Sequence, residues 1–166
     1  MPHQATLVIM KPDAIQRGLM GAVLSRLETL QLEVIGAKTV CVTKALAQEH
    51  YRHLRDQPFF GELIDYLQGK LHGTRFVLAL VLYGPEAIER VRQAAGATHP
   101  EKADPLSLRG SLGRMTTSGV MENLLHASAD PAEAQREIAL WFKPEELLHG
   151  VSEPFRATQT SARRTT

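Results

Sequence analysis

Four runs of apolar residues along the chain predict buried β-strands. They cover residues 5–10, 34–42, 76–83 and 124–126, and the first is apolar throughout except for Thr6. Apolar runs of this kind, rich in branched side chains, are typical of strands that are covered on both faces. We therefore expect a sheet with residues 5–10 as a buried central strand, residues 76–83 as its clearest strand and residues 124–126 as a short fourth strand.

Between these strands, apolar residues recur at the spacing of amphipathic helices. The first helix follows the turn at residues 17–18, and the last begins at Asp130-Pro131, with aspartate as N-cap and proline at the first helical position. Residues 44–67 are predicted to be helical with a break at Gln57-Pro58, because the residue before proline disfavours helix. Another helix is predicted to begin at Gly84-Pro85-Glu86. The inward positions are Met20, Val23, Leu24, Leu27 and Leu30, then Ile88, Val91 and Ala95, then Ala134, Ile138, Trp141 and Phe142.

The order of these elements is β-α-β, two helices, and then β-α-β-α. Without the two middle helices it is the split βαβ arrangement. The predicted fold class is therefore α+β: a ferredoxin-like βαββαβ sandwich, whose four-stranded antiparallel sheet is covered by helices, with an inserted helical hairpin and a C-terminal helix. We expect one domain over residues 1–149, a long loop over residues 96–122 that is functional or mobile, and a polar, flexible C-terminal tail over residues 150–166.

The composition favours a single globular domain without a charged partner. The chain has 166 residues, of which 43% are hydrophobic, and a formal net charge of +1. Such a charge gives no global electrostatic case for binding a membrane or nucleic acid. The one cysteine, Cys41, excludes an intramolecular disulfide and is expected to be a small buried residue. No basic leader and no apolar run near the ~20 residues that span a bilayer occurs, so we expect a cytoplasmic protein.

His126 is the candidate nucleophile. It ends the fourth apolar run in Asn123-Leu124-Leu125-His126-Ala127-Ser128, and small and polar residues follow it. A neutral imidazole, with an ordinary pKa of about 6.5, attacks phosphorus near neutral pH without needing a separate base. A hydrogen-bonded structural histidine would fit the same local sequence, so the remaining residues have to decide between these two interpretations.

Glu137 strengthens the case for His126. It lies on or beside the buried stripe of the last predicted helix, where a carboxylate is seldom left without a partner. A carboxylate that accepts the N–H of one ring nitrogen fixes the tautomer and leaves the other nitrogen free to attack. The alternative is an ordinary ion pair of Glu137 with Arg136 or Lys143 at the edge of the helix.

Cations are the second requirement, because a phosphoryl group in transfer spreads charge over its outer oxygens. The candidates are Lys11 at the end of the first strand, Arg92 late in a helix and Arg109 in the long loop, while Thr98 can donate a hydroxyl. Each has an ordinary alternative: a solvated surface charge, a helix C-terminus for Arg92, or a turn-forming residue for Thr98. The sequence contains no glycine-rich phosphate loop and no paired Cys/His spacing of a structural metal site.

Several motifs, in the right order, resemble those of the nucleoside diphosphate kinase family. The likeness covers residues 5–148, and its active-site signature corresponds to residues 123–128. The other matching segments are Lys11-Pro12-Asp13-Ala14-Ile15-Gln16-Arg17-Gly18, Glu49-His50-Tyr51, Pro58-Phe59-Phe60-Gly61 and the closing segment from Glu137 through Trp141 to Leu147. The resemblance implies a ping-pong kinase, in which His126 takes the γ-phosphoryl group of a nucleoside triphosphate, typically ATP, and passes it to a nucleoside diphosphate.

The resemblance also implies roles for individual residues. Glu137 would orient the imidazole with support from Ser128, and Tyr51 would hydrogen-bond near the transferred group. Phe59 would stack on the base with Val120 on its other side, and Asn123 would reach the sugar together with Lys11. The phosphates would be held by Lys11, Arg92, Thr98 and Arg109. Mg²⁺ would enter through the nucleotide phosphates with no metal ligand from the protein. The resemblance further implies a homo-oligomer, since family members generally assemble as hexamers or tetramers.

The sequence departs from the family pattern near the signature. The usual His-Gly-Ser-Asp is His126-Ala127-Ser128-Ala129 here, so an acid sometimes linked to the metal's water shell is missing. The segment before His126 and the loop at residues 69–74 are both longer than usual. These departures keep open a non-catalytic nucleotide-binding or interaction scaffold of the same fold, which would bind nucleotides without phosphotransfer. Single-stranded nucleic acid is not an expected partner, given a net charge of +1 and 5% aromatic residues.

Overall fold

The computed structural model describes residues 1–148, which form a four-stranded antiparallel sheet with helices on both faces. The strands lie in the order β2 (Glu33–Val40), β3 (Val77–Pro85), β1 (His3–Met10) and β6 (Leu125–Ala127), so that β1 is central as predicted. The α+β, ferredoxin-like fold class is confirmed. In chain order the elements are β1 (His3–Met10), α1 (Pro12–Gln16), α2 (Met20–Glu28), β2 (Glu33–Val40), α3 (Lys44–His50), α4 (Phe60–Leu67), β3 (Val77–Pro85), α5 (Ala87–Ala95), α6 (Leu108–Leu112), β4 (Arg114–Met115), β5 (Met121–Glu122), β6 (Leu125–Ala127) and α7 (Pro131–Trp141).

The hydrophobic core lies on both faces of β1, because successive side chains of a strand point to opposite sides. Leu7 and Ile9 pack in one cluster with the buried residues of α7, and Val8 and Met10 pack in the other with those of α2 and α5. All four side chains have no exposed surface. This two-sided burial is the reason that β1 reads as an almost uninterrupted apolar run.

Two local predictions are wrong at the ends of strands. Strand β2 ends at Val40, so Cys41 lies beyond it and is exposed rather than buried. Strand β3 continues to Pro85, which pairs opposite His3, and α5 begins only at Ala87. Proline is tolerated there because the end of a strand does not require its missing N–H.

Residues 96–122 contain more regular structure than the predicted loop. A short 3₁₀ turn at Pro100–Lys102 is followed by α6, whose N-cap Ser107 accepts a hydrogen bond from the Gly110 amide at 3.2 Å. Strands β4 and β5 then form a hairpin that turns at Gly119, where φ is +84°. Elements this short show no hydrophobic period, so the sequence did not predict them. Glycine is required at the turn because only glycine adopts such a φ at little cost.

The helical stretch over residues 44–67 breaks earlier than predicted. Helix α3 ends at His50, a 3₁₀ turn covers Arg52–Leu54, and α4 begins at Phe60. The Arg136 guanidinium of α7 donates hydrogen bonds to the main-chain oxygens of Glu49 and His50, both at 3.1 Å. The carbonyls at the end of α3 are therefore satisfied by a side chain instead of by another helical turn.

A strained main-chain reversal at Leu124 leads into β6. The Leu125 amide donates to the Asn123 oxygen at 2.8 Å across Leu124, whose φ is +67°. Such a γ-turn with positive φ is rare and unfavourable for a residue with a side chain. The Lys11 amide donates to the Leu124 oxygen at 2.8 Å, and the Leu124 amide donates to Asp13 Oδ2 at 3.0 Å, so both polar groups of the reversed residue are paired.

No helix among residues 1–148 is both long and apolar enough to cross a membrane. The predicted tail over residues 150–166 lies outside the described residues, so the boundary at residue 149 stays a prediction.

We predict that Asp13→Ala destabilises the fold by about 2–4 kcal/mol, because it leaves two donors without a partner in the interior. Asp13 is fully buried and accepts hydrogen bonds from the Tyr66 hydroxyl and the Leu124 amide. Tyr66→Phe removes only the first of these and should cost about 1 kcal/mol. The measurement is urea-induced unfolding followed by circular dichroism.

Glu28→Ala is the control for this prediction, since Glu28 is an exposed carboxylate. It should change the free energy of unfolding by less than about 0.5 kcal/mol. Equal destabilisation by Asp13→Ala and Glu28→Ala would contradict the role given to Asp13.

Candidate active site

The structure places His126 and Glu137 in direct contact. His126 Nε2 lies 2.9 Å from Glu137 Oε2, and the same oxygen accepts a hydrogen bond from Ser128 Oγ at 2.7 Å. An ionised carboxylate can only accept, so Nε2 carries the ring proton and the lone pair lies on Nδ1. The alternative ion pair of Glu137 with Arg136 is much longer, at 3.9 Å.

The environment of His126 favours the neutral imidazole. Burial lowers the pKa of His126 well below its ordinary value, and the nearby charges of Lys11 and Arg109 lower it further. Burial also raises the pKa of Glu137, against the opposing effect of the Ser128 hydrogen bond. Near neutral pH the pair therefore presents an uncharged ring with a free lone pair, as an attack on phosphorus requires.

Ser128 connects this pair to the central strand. Its side chain is fully buried, and its hydroxyl accepts a hydrogen bond from the Leu7 amide of β1 at 3.1 Å while donating to Glu137. A hydroxyl that accepts from a fixed amide has a restricted orientation. Glu137 is thus positioned against the rigid centre of the sheet.

Lys11, Asn123 and Thr98 form a chain of polar contacts next to His126. Lys11 Nζ donates to Asn123 Oδ1 at 2.8 Å, and Asn123 Nδ2 donates to the Thr98 main-chain oxygen at 3.1 Å. Burial and the nearby charge of Arg109 together lower the pKa of Lys11 to about 7, against the opposing effect of Asp13. A bound anion would favour the charged form of Lys11.

Arg109 is held rigidly by main-chain oxygens. Its guanidinium donates to the carbonyls of Gly96 at 2.8 Å, Asn123 at 3.2 Å and Leu125 at 2.6 Å, and to no carboxylate within residues 1–148. Burial lowers the pKa of Arg109 to about 10, so it remains a cation at neutral pH. With Arg92, Thr98 and Ala127 it lines a small cavity of about 140 Å³. The size and the two cations fit a phosphate group.

A second pocket, of about 250 Å³, opens on the other side of Asn123. Phe59 and Val120, the two residues expected to hold the base, lie at this pocket together with Lys11, Asn123 and Tyr66. Phe59 is half-exposed, which leaves its ring free to stack on a planar group. Seven of the predicted residues thus surround two pockets that Asn123 joins.

Glu122 stabilises the β4–β5 hairpin, whose turn region carries Val120. This buried carboxylate accepts from Arg114 Nε at 2.5 Å, contacts His72 Nε2 at 3.0 Å and lies 3.6 Å from Arg17. Burial alone would raise the pKa of Glu122, but the hydrogen bonds from Arg114 and His72 lower it below its usual value. His72 and Glu122 come from the two segments that are expected to be longer than the family pattern, and their contact joins these segments.

Tyr51 lies beside Glu137 with its hydroxyl buried. That hydroxyl has no hydrogen-bond partner among the described residues. Burial raises the pKa of Tyr51, and the neighbouring Glu137 carboxylate raises it further. The phenol is therefore a neutral donor without an acceptor among the described residues, and a ligand oxygen could accept its hydrogen bond.

Comparison with known proteins identifies the family. The family model for nucleoside diphosphate kinase matches residues 4–147. This chain belongs to the nucleoside diphosphate kinase family. The nucleoside diphosphate kinase of Pyrococcus horikoshii is 44% identical over 145 residues, which are 87% of this chain and 88% of that one. The enzyme of Thermus thermophilus is 41% identical over 87% of this chain and 99% of its own.

Solved structures agree. A halophilic nucleoside diphosphate kinase from Halobacterium salinarum, in complex with CDP, has a TM-score of 0.80 at 38% identity, covering 89% of this chain and 92% of that chain. A transition-state mimic of the Borrelia burgdorferi nucleoside-diphosphate kinase, with bound vanadate and ADP, has a TM-score of 0.79 at 35% identity. The match covers 89% of this chain and 91% of that chain. The resemblance seen in the motifs is confirmed, and the chain is a phosphotransferase rather than a scaffold.

Four residues near this nucleoside diphosphate kinase site received no role from the sequence. They are Asp13 and Tyr66, which hold the reversal at Leu124, His50, which packs against His126, and Trp141, which contacts His50. Asp13 and His50 stand inside motifs that match the family, next to residues with assigned roles. Adjacency in a motif is therefore a signal that would have selected these two, whereas Tyr66 and Trp141 read as ordinary core aromatics.

We predict that nucleotide binding by Lys11 takes up a proton above pH 7. The pKa of Lys11 is about 7 in the free protein, and bound phosphates favour the charged form, so at pH 8 binding should draw in roughly one proton per site and affinity should fall as the pH rises. Calorimetric titration with a nucleoside diphosphate in two buffers of different ionisation enthalpy measures this uptake.

Lys11→Arg is the matched control, because a guanidinium stays charged throughout this pH range. The variant should show less proton uptake than the wild type at pH 8. Equal uptake by both proteins would mean that Lys11 is already charged in the free protein.

Proposed function

We propose that this chain catalyses ping-pong transfer of the γ-phosphoryl group from a nucleoside triphosphate, typically ATP, to a nucleoside diphosphate through a phosphohistidine on His126. The contact of His126 Nε2 with Glu137 carries the proposal, because it leaves Nδ1 as the free nucleophile. Nδ1 forms a bond to the γ-phosphorus, and the bond from that phosphorus to the β–γ bridging oxygen breaks. The nucleoside diphosphate leaves with the electron pair, and a second diphosphate reverses the step.

The cations around the phosphate cavity supply the electrostatic part of this mechanism. Arg92, Arg109 and Thr98 would hold phosphate oxygens, and Lys11 would reach them from the pocket beyond Asn123. Arg109 needs no reorganisation, since three carbonyls already fix its guanidinium. Fixed charges of this kind stabilise the charge that develops in the transition state without rearranging. Tyr51 would donate its hydroxyl near the transferred group.

The larger pocket suits the nucleoside. Phe59 would stack on the base with Val120 on the opposite side, while Lys11 and Asn123 would contact the sugar. Stacking tolerates every base because each has a π-face, which fits an enzyme that supplies all nucleoside and deoxynucleoside triphosphates.

Mg²⁺ fits this site through the nucleotide rather than through protein ligands. The carboxylates of the site are occupied: Asp13 holds Leu124 and Tyr66, Glu137 holds His126 and Ser128, and Asp130 caps α7 by accepting from the Glu133 amide at 2.9 Å. Mg²⁺ commonly binds through substrate phosphates and water. When bound it would neutralise phosphate charge, and the residues named above would orient the nucleotide.

We further propose that the protein is cytoplasmic and works as a homo-oligomer, a hexamer or a tetramer as in its family. The outer edge of the sheet supports the assembly: β2 is the last strand, its Val34 is half-exposed, and the Leu148 amide donates to the Ile35 oxygen at 2.8 Å on that strand. The part of a strand edge that is left unpaired favours association with another chain.

We predict that incubation with ATP labelled at the γ-phosphate gives an acid-labile, base-stable phosphoenzyme that any nucleoside diphosphate discharges. His126→Ala should abolish both the labelling and the turnover, because it removes the only nucleophile that Glu137 orients. His3→Ala, which changes an exposed histidine far along β1, is the control and should label as the wild type does. Labelling of His126→Ala to the wild-type extent would overturn the proposal.

We predict that the rate of phosphoenzyme formation falls more when Glu137, which contacts His126, is replaced than when Ser128, which contacts Glu137, is replaced. Glu137→Ala should slow phosphoenzyme formation about 100-fold, since the imidazole loses the partner that sets its tautomer. Ser128→Ala keeps the carboxylate and should slow the step by no more than about tenfold. Single-turnover quench-flow measures both rates, and a larger effect of Ser128→Ala than of Glu137→Ala would contradict this order.

A further inference from the structure

A second histidine, His50, packs against the proposed nucleophile. It is the last residue of α3 and has no exposed surface. Its ring centroid lies 4.4 Å from that of His126, with the two ring planes at 81°. One ring nitrogen of each histidine and one carboxylate oxygen of Glu137 all lie within 4.8 Å of one another. His50 stands inside a motif that matches the family, but neither the resemblance nor the mechanism above gives it a role.

Trp141 determines which nitrogen of His50 carries the proton. Its indole Nε1–H donates to His50 Nδ1 at 3.2 Å. Indole nitrogen is a donor only, so Nδ1 must supply the lone pair and the proton of the neutral ring lies on Nε2. This Nε2–H group is buried and has no partner among the described residues.

The same contact argues against a metal ion in this cluster. Binding a metal at Nε2 while Nδ1 accepts from Trp141 would require a fully deprotonated imidazolate, whereas protein histidines bind metals as neutral rings. The orphan Nε2–H is therefore better explained by the neighbouring ring of His126 than by a missing cation.

Every charged group around His50 also bears on its protonation. His126 comes from β6, Glu137 and Arg136 from α7, Lys11 from the end of β1, and Tyr51 follows in the chain with its ring 4.6 Å away. Burial lowers the pKa of His50 well below its ordinary value, and His126, Lys11 and Arg136 lower it further, against the single opposing effect of Glu137.

We propose that His50 is a positioning residue for phosphoryl transfer: Trp141 holds it as a neutral ring with its proton on Nε2, and this ring keeps the His126 imidazole in place without bringing a second positive charge beside it. The inference rests on the proposed phosphohistidine mechanism. Bond formation at Nδ1 of His126 makes its ring cationic, because Nε2 keeps its proton toward Glu137. A protonated His50 at this distance would oppose that step, whereas a neutral ring does not.

The test uses Trp141→Phe, which removes the indole donor and lets Nδ1 of His50 accept a proton. We expect the acidic limb of the pH profile for kcat to move to higher pH by about one unit, the usual spread of histidine pKa values between protein environments. KM for the nucleotide should stay within twofold, because neither residue lines the two pockets.

The double variant Trp141→Phe with His50→Asn separates this effect from a general loss of packing. Asparagine cannot titrate, so the acidic limb should return to its wild-type position even if kcat falls. Ile138→Val trims another buried side chain of α7 and should leave the limb unmoved. An unshifted limb in Trp141→Phe, or a shift that persists in the double variant, overturns the proposal.

Nitrogen NMR of ¹⁵N-histidine-labelled protein gives a reading that does not depend on activity. His50 should appear as the neutral Nε2–H tautomer in the wild type down to pH values at which an ordinary histidine is charged. An Nδ1–H tautomer, or an ordinary titration of His50, would overturn the inference alone. A wild-type chain that forms no phosphoenzyme would overturn the proposed function as well, so the two failures are distinguishable.

Discussion

The active site depends on the reversal of the main chain at Leu124. With φ at +67°, this residue turns the chain so that Asn123 faces Lys11 and Thr98 while His126 enters β6 beside β1. A buried leucine does not adopt this conformation unless its surroundings hold it there. The main chain of Lys11 and the carboxylate of Asp13 do so, and both belong to the segment that directly follows β1. One strand end therefore provides the buried cation Lys11 and also shapes the loop that carries His126.

Unbalanced positive charge is the second constraint on the site. Lys11 is buried and Arg109 is partly buried, and the hydrogen bonds of both go to an amide oxygen or to carbonyls rather than to carboxylates of the described residues. Burial is the main cause of the lowered pKa of each group. A bound phosphate would offset the cost of burying the positive charge of both groups at once. The carboxylates that lie nearby are engaged in holding Leu124 and His126, so they do not compete with the phosphate for these cations.

The sequence predicted the helices and strands that have an extended hydrophobic pattern, and it failed for those whose bounds are set by a tertiary contact or a single turn residue. Strands β1 and β3 and helix α7 were predictable because burial leaves a continuous apolar run in the strands, or a helical period in α7, over eight or more residues. Helix α6 and the β4–β5 hairpin were not, because elements of two to five residues have no period and depend on Ser107 and Gly119. The early end of α3 was equally hidden, since Arg136 from α7 causes it. For the site, family motifs selected residues that would touch the nucleotide.

The residues that act through other residues were assigned only in part, and α7 shows why. Glu137 and Trp141 are four positions apart and thus lie on one face of the helix, where they contact His126 and His50 respectively. In the sequence this face reads as an apolar stripe with one acid, and nothing in the pattern says that an indole N–H meets an imidazole. Both contacts come from the same helix, so the position of α7 bears on the orientation of His126 and on the tautomer of His50 alike. In the proposed mechanism the protonation of His50 therefore matters to the ring beside it, although the two contacts can be removed one at a time.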